Sequence, residues 1–247
     1  MKTSQLSIAI ITLNEAHNIA QCIQSVQMLS NDIVVVDSLS SDNTVEIATR
    51  HGARVFSQEF LGDGQQKQFA ANQCRYDWVL SLDADERIAD PSAISVLLES
   101  IESHKQYAVK RANHILGQRI RHGGSYPDYV IRLFNRKTSH FLAMEHASLV
   151  GGETVKTDIE LIHYTHPDVS TLYGKMIRSA HRSAEDRVKQ NRRQRSATLS
   201  ACLTFFKTFI LRGGFLDGRP GFHWAMAGAF RAFMKHEITR DLRRIQS

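Results

Sequence analysis

The chain has 247 residues, 42% of them hydrophobic, and carries 31 Lys and Arg against 25 Asp and Glu, a formal net charge of +6. That length supports one sizeable core with a smaller appendage and excludes a short disulfide-stapled scaffold. The three cysteines, Cys22, Cys74 and Cys202, are far apart and lack C-x-x-C spacing, which argues against a disulfide framework or zinc site and for a reducing compartment.

The N-terminal residues lead into a short apolar run that meets Asn14 and Glu15, too brief and too polar for a secretory signal. No apolar stretch reaches the roughly 18 residues of a spanning helix. Residues 7–13 form a β-branched run of strand length, and residues 16–29 place apolar side chains at helical spacing. Residues 33–37 read as a second strand, apolar up to Asp37 at its end, followed by a polar turn and a helix over 44–51 that Gly52 can end. A third strand over 53–56, a helix over 64–75 and a fourth strand over 78–82 complete an alternating pattern. Strands alternating with helices imply a parallel sheet covered on both faces, with ligands at the carboxyl ends of its strands.

Those ends carry the chemistry. Thr12-Leu13-Asn14-Glu15, Asp37 and Asp83-Ala84-Asp85 each follow a predicted strand, so the topology draws them toward one crevice. One D-x-D is a common turn or helix cap. Three polar groups at corresponding strand ends point instead to a nucleotide site, with the paired carboxylates suited to Mg²⁺ or Mn²⁺ that shares its coordination with phosphates.

From residue 107 the texture changes. Residues 107–111 and 129–134 read as strands around a Gly- and Arg-rich loop, and residues 140–150 and 158–166 as a small antiparallel or mixed section. His163 and His166 flank Tyr164 without a matching Cys or carboxylate spacing, and read as structural histidines. Residues 171–195 read as one long basic helix with Leu172, Met176 and Ala180 on its apolar face. Residues 197–237 are apolar and aromatic, broken at Arg212-Gly213-Gly214 and Gly218-Arg219-Pro220-Gly221. From Thr171 onward there are sixteen Lys and Arg against five Asp and Glu, so this end seeks an anionic partner.

In combination, several motifs resemble the family 2 inverting glycosyltransferases of GT-A fold. They are Ile10-Ile11-Thr12-Leu13-Asn14-Glu15, Val34-Val35-Val36-Asp37-Ser38, Ser41-Asp42-Asn43-Thr44, Gln65-Gln66-Lys67-Gln68-Phe69-Ala70-Ala71-Asn72 and Asp77-Trp78-Val79-Leu80-Ser81-Leu82-Asp83-Ala84-Asp85-Glu86. Arg119-Ile120-Arg121-His122-Gly123-Gly124, Tyr126-Pro127-Asp128-Tyr129, Arg132-Leu133-Phe134 and Arg212-Gly213-Gly214-Phe215-Leu216-Asp217-Gly218 resemble its short lipopolysaccharide-core glucosyltransferase subgroup. The resemblance implies an α/β fold with a mostly parallel central sheet and flanking helices. It divides the chain into a catalytic domain over 1–168, with a nucleotide half over 1–106 and an acceptor half over 107–168, and a basic helical region over 169–247.

It further implies a nucleotide-sugar donor, UDP-glucose foremost, a lipid-linked core oligosaccharide acceptor and a divalent cation. Thr12, Leu13, Asn14 and Glu15 would line the nucleoside, Asp37 the base, and Lys67 the nucleotide or its supporting loop. Asp83 would meet the ribose or support the site from behind, Ala84 would lie between, and Asp85 would bind the metal at the diphosphate. Arg119, Arg121, His122 and Arg132 could grip donor or acceptor phosphates.

An inverting transfer also needs a general base. The subgroup's Val-His-Glu sequence is replaced here by Met144-Glu145-His146-Ala147. Alignment on the histidine sets Ala147 where the glutamate belongs, which leaves Glu145 as the nearest candidate, Asp128 as the alternative, and altered chemistry as a third outcome. The basic and aromatic C-terminal third fits either an anionic membrane surface, with a cytoplasmic enzyme peripheral to the inner membrane, or contact with the catalytic domain or a second copy. Nucleic acid is not an expected partner. A sugar-phosphate nucleotidyltransferase and a non-catalytic membrane- or nucleic-acid-binding protein with a transferase-like domain stand as alternative readings. The first strand leads into no Gly-rich phosphate loop, which weighs against the nucleotidyltransferase.

Overall fold

A computed structural model of the chain describes residues 5–143 and 147–246. Strands β1 (Leu6–Thr12), β2 (Ile33–Asp37), β3 (Arg54–Ser57) and β4 (Trp78–Asp83) form the parallel half of the main sheet, in the spatial order β3-β2-β1-β4. Helices α1 (Ile19–Val26), α2 (Thr44–Arg50) and α3 (Asp63–Gln73) are the connections between them. Alternation along the strands sends side chains to two cores. Ile8, Ile10, Val35, Leu80 and Leu82 pack with Ile19, Cys22, Ile23 and Val26 of α1. Ala9, Val34, Val36 and Val79 pack with Ala70, Ala71 and Cys74 of α3 and the segment that follows it.

Beyond β4 the sheet becomes antiparallel. β5 (Glu86–Ile88) and α4 (Pro91–Leu97) precede β6 (Lys105–Ile115), the short β7 (Gln118–Arg119) and β8 (Asp128–Asn135). β8 pairs antiparallel with both β4 and β6, with a bulge between Tyr107 and Ala108. β9 (His140–Phe141) and β10 (Leu149–Val150) make a separate two-stranded ribbon, and the long β11 (Glu153–His166) pairs antiparallel with β5. The chain divides into two compact units, Met1–Arg111 with Asp128–His163, and Ala112–Pro127 with Tyr164–Ser247. The cut falls inside β6 and β11 and assigns residues 112–127 to the same unit as the C-terminal helices.

In the second unit α5 (Val169–Lys189) starts at Asp168, whose carboxylate accepts the Thr171 N–H at 2.8 Å, a standard N-cap. The long helix expected over 171–195 ends earlier, because Asn191 takes a left-handed conformation (φ 47°) and the helix cannot continue through it. Of the predicted apolar face, Leu172 and Ala180 are buried and Met176 is half-buried, and Ala184 extends the buried stripe. α6 (Ala197–Phe206) runs into a π-helical turn over Lys207–Leu211 and a 3₁₀ turn over Gly214–Asp217, and α7 (Gly218–Gln246) packs along α5 and α6. Arg212-Gly213-Gly214 is the break expected from sequence, whereas Gly218-Arg219-Pro220-Gly221 opens α7, with Pro220 in the first turn where its missing N–H costs nothing. A Cβ on Gly221 would lie 1.9 Å from the Gly214 carbonyl oxygen, so the bend between α6 and α7 requires glycine there.

Candidate active site

Parallel register brings the predicted strand ends together. Thr12 pairs with Asp37 and Ile11 with Asp83, so the carboxyl ends of β2, β1 and β4 lie side by side. Neighbouring strands sit about 4.8 Å apart, which makes this one shelf. The Thr12 side chain is buried, and its hydroxyl has no hydrogen-bond partner among the described residues.

The loops after β1 and β2 hold one another. Asn14 adopts φ 54°, and its side-chain oxygen accepts the Ser41 N–H at 2.8 Å, while its own N–H donates to Ser40 Oγ at 2.8 Å. The Glu15 N–H donates to Thr44 Oγ1 at 2.9 Å and the Ala16 N–H to Asp42 Oδ2 at 3.1 Å. Leu13 and Leu39 project from this laced edge, both exposed. Asp37, assigned to the base from sequence, is buried, with its carboxylate engaged by the N–H and hydroxyl of Ser40 at 2.8 and 2.5 Å. Its visible work is to shape the loop.

The acidic motif is a charge cluster with a definite division of labour. Asp83 Oδ1 lies 2.7 Å from Lys67 Nζ, and Asp83 Oδ2 lies 2.8 Å from Arg132 Nη2. Arg132 also reaches Glu86 Oε1 at 2.5 Å, and Glu86 Oε2 accepts the Asp83 N–H at 3.1 Å. Burial opposes ionisation of Asp83, but Lys67 and Arg132 outweigh it and hold the carboxyl below the ordinary carboxylate range. Burial likewise opposes the Arg132 charge, and Glu86 and Asp83 more than restore it. Arg132 therefore serves the acidic motif. Its side chain is 7% exposed and its Nη2 bonds both carboxylates, a contact the sequence reading did not foresee, while its buried Nε has no hydrogen-bond partner among the described residues. Lys67, also buried, supports the motif from α3 in the same way.

Asp85 is treated differently. Among the described residues it forms no ion pair with Lys or Arg; its neighbour is His163, with Nε2 3.4 Å from Asp85 Oδ2. The β5–β11 register, which sets His163 opposite Glu86, brings that histidine in from far along the chain. Sequence spacing carried no signal of the contact, and the structural reading of His163 misses it. A carboxylate and an imidazole, each about one-seventh exposed, suit a divalent cation that takes its remaining ligands from diphosphate oxygens and water. Among the described residues no group of three or more His, Cys, Asp or Glu is placed to hold a metal ion. Ala84 is buried between the two aspartates, and its N–H donates to the Ile11 carbonyl at 3.1 Å, which fixes their splay. Cys22 donates to the Asp83 carbonyl at 3.6 Å, and burial, then Glu86, Asp85 and Asp83, push its thiol well above its ordinary pKa, so it is no thiolate nucleophile.

The base candidates fare unequally. Glu145 lies outside the described residues. Asp128, at the start of β8, is held by Arg111, whose Nε and Nη2 donate to Oδ2 at 2.9 and 2.6 Å. Ala147, at the subgroup's glutamate position, packs against the core that contains Phe134 and Phe141. A cleft of about 250 Å³ lined by Gln58, Gln65, Phe69, Asn72 and Phe141 extends to Ala143, directly before the undescribed segment.

The remaining basic residues belong to the second unit. Asp217 accepts the Arg121 and His122 N–H groups at 3.1 and 2.7 Å and meets His122 Nδ1 at 2.9 Å, which clasps the 119–124 loop to the 212–218 segment. Arg119 lies over the Tyr126 ring, 4.9 Å from its centroid. The Arg121 side chain is exposed. These two segments, read from sequence as the subgroup's marks, thus form one contact, with Asp217 as the shared acceptor that sequence reasoning left without a role.

Residues 7–157 match the family model "Glycosyl transferase family 2". An uncharacterized glycosyltransferase of Rickettsia conorii is 31% identical over 97% of this chain and 91% of its own length. The lipopolysaccharide core biosynthesis glycosyltransferase LpsC of Rhizobium meliloti is 28% identical over 93% of this chain and 89% of its own. A crystal structure of a mycobacterial protein shares the fold at 17% identity, with a TM-score of 0.50 over 71% of this chain and 72% of that one. The fold is that of the GT-A enzymes, and the chain is a glycosyltransferase that belongs to glycosyl transferase family 2.

Proposed function

We propose that the enzyme transfers a hexose, with glucose from UDP-glucose the first candidate, to a lipopolysaccharide core or similar lipid-linked glycan, by inverting displacement assisted by Mg²⁺ or Mn²⁺. The observation that carries this reading is the unequal treatment of the two aspartates. Lys67 and Arg132 neutralise Asp83, while Asp85 stands beside His163 with its charge available for a cation. When bound, that cation would neutralise the diphosphate as it departs. Thr12, Asn14 and Glu15 form the adjoining wall for the nucleoside, and the likeness to LpsC supports a lipopolysaccharide core acceptor.

A donor screen tests the reading. Purified enzyme, Mn²⁺ and a truncated core glycolipid are incubated with UDP-, GDP- and ADP-hexoses while nucleotide release is followed. Acceptor-dependent release from one UDP-sugar is expected; release from none of the donors contradicts the proposal. A second reading, a binding protein with a transferase-like domain, is favoured by one observation: Ala147 packs into the core where the subgroup has its glutamate. Tight UDP binding without turnover on any acceptor would support it.

A further inference from the structure

We propose that the bend between α6 and α7 is a membrane-docking edge that inserts into the interface of an anionic lipid leaflet. The inference stands on the second unit alone and does not depend on the donor or acceptor assigned above. Leu203, Phe206, Ile210, Leu211, Phe215 and Leu216 are 45–69% exposed, all within the end of α6 and the two turns that follow it. Leu199 and Phe222 extend the exposure along α6 and into α7. So dense a run of exposed large apolar side chains marks a surface that meets something other than water.

The inner side of the same bend is well packed, so the exposure does not come from a loose segment. Phe205 stacks on Phe209 at 5.2 Å between centroids, and Phe222 meets Phe209 edge-on at 5.8 Å. Gly214 and Gly221 let the backbones close. The rigid inner cluster presents the outer residues as a fixed edge.

Charge identifies the occupant. Lys207, Arg212 and Arg219 are interleaved with the apolar residues and are themselves exposed. Between Asp186 and Glu237 the only carboxylate is Asp217, whose side chain is 6% exposed and already bonded to the 121–122 backbone. An edge that alternates apolar and cationic side chains with no accessible carboxylate complements acyl chains beneath anionic headgroups. A second copy of the same edge would set cation against cation. Among the described residues no single helix is long and apolar enough to cross a membrane, and the pair that qualifies together is bent by 71°. With basic residues spaced through the bend, an edge lying in the interface accommodates this geometry better than a span does.

The test is flotation of the full-length chain with phosphatidylcholine vesicles, with and without phosphatidylglycerol, at low and high salt. Circular dichroism melting confirms that each variant folds. The wild-type chain should float with the anionic vesicles, far less with the neutral ones, and less again at high salt. A Phe206→Ser, Ile210→Ser, Leu211→Ser variant should lose partitioning by about tenfold or more, since three large apolar groups leave the interface. A Lys207→Glu, Arg219→Glu variant should lose the preference for anionic lipid. No flotation at low salt, equal flotation with both lipids, or triple-variant flotation equal to wild type would each overturn the proposal. So would light scattering that shows a dimer broken by the triple variant without any lipid binding.

Discussion

The shelf at the ends of β2, β1 and β4 and the bend between α6 and α7 handle charge in opposite ways. On the shelf, Glu86, Lys67 and Arg132 are buried beside the partly exposed Asp83, and ion pairs within 3 Å link the four. At the bend the cations are exposed beside apolar side chains, and the lone carboxylate is spent on a backbone contact. A charge compensated inside the chain fixes geometry, and one left uncompensated waits for a partner. Asp85 is the exception on the shelf, with no Lys or Arg ion pair among the described residues, and the proposed cation site rests on it, as the proposed docking edge rests on Lys207 and Arg219 at the bend.

The largest effect expected lies at the acceptor side. Glu145→Gln should lower turnover by about two orders of magnitude or more with donor affinity nearly unchanged, because loss of a base acts on the chemical step. Rates for Glu145→Gln and Asp128→Asn measured side by side assign the role. Full turnover in Glu145→Gln removes it from candidacy, and Asp128 inherits the role only if its own variant fails without loss of folding.

Arg132→Leu breaks the comparison from the shelf side. It leaves Asp83 and Glu86 without their shared cation, and removal of one partner from a buried ion pair costs about 3–5 kcal/mol. Denaturant unfolding should show that loss, whereas Lys207→Glu at the exposed bend should change stability by roughly 0.5 kcal/mol or less. Equal effects at the two sites would erase the distinction between compensated and uncompensated charge.

A smaller effect follows from pH. The folded-state pKa of Asp83 is depressed, so its stabilising contribution is present above the unfolded carboxylate value, near ~3.9, and fades as pH falls through and below it. Arg132 adds nothing to this window, because its raised pKa lies far above it. Thermal melting from pH 6 down to pH 3 should therefore fall more steeply in wild type than in Asp83→Asn. Parallel curves would mean that Asp83 is not the carboxylate that matters.

Much of the shelf was legible in sequence. Residues 33–37 read as a strand and are one, because four consecutive apolar side chains buried on both faces leave no other period, and a polar turn ends them. The same logic placed Asp37, Asp83 and Thr12 at strand ends. What escaped detection depends on pairing order. Arg132 could not be assigned to Asp83 and Glu86 without knowing that β8 inserts beside β4. His163 needed the β11–β5 register, and β5, at three residues, is too short to announce itself. The early end of α5 turned on one left-handed asparagine within a run whose charge pattern continues unbroken.

Calorimetric titration of UDP into the enzyme, with and without Mn²⁺, for wild type and Asp85→Ala, bears most directly on the central claim that Asp85 marks the diphosphate end of a donor site. The account predicts that Mn²⁺ tightens UDP binding to the wild-type chain and that Asp85→Ala abolishes this gain while it keeps a folded, unchanged melting transition. Metal-dependent UDP binding that survives in Asp85→Ala, or no UDP binding by the wild-type chain, would contradict it.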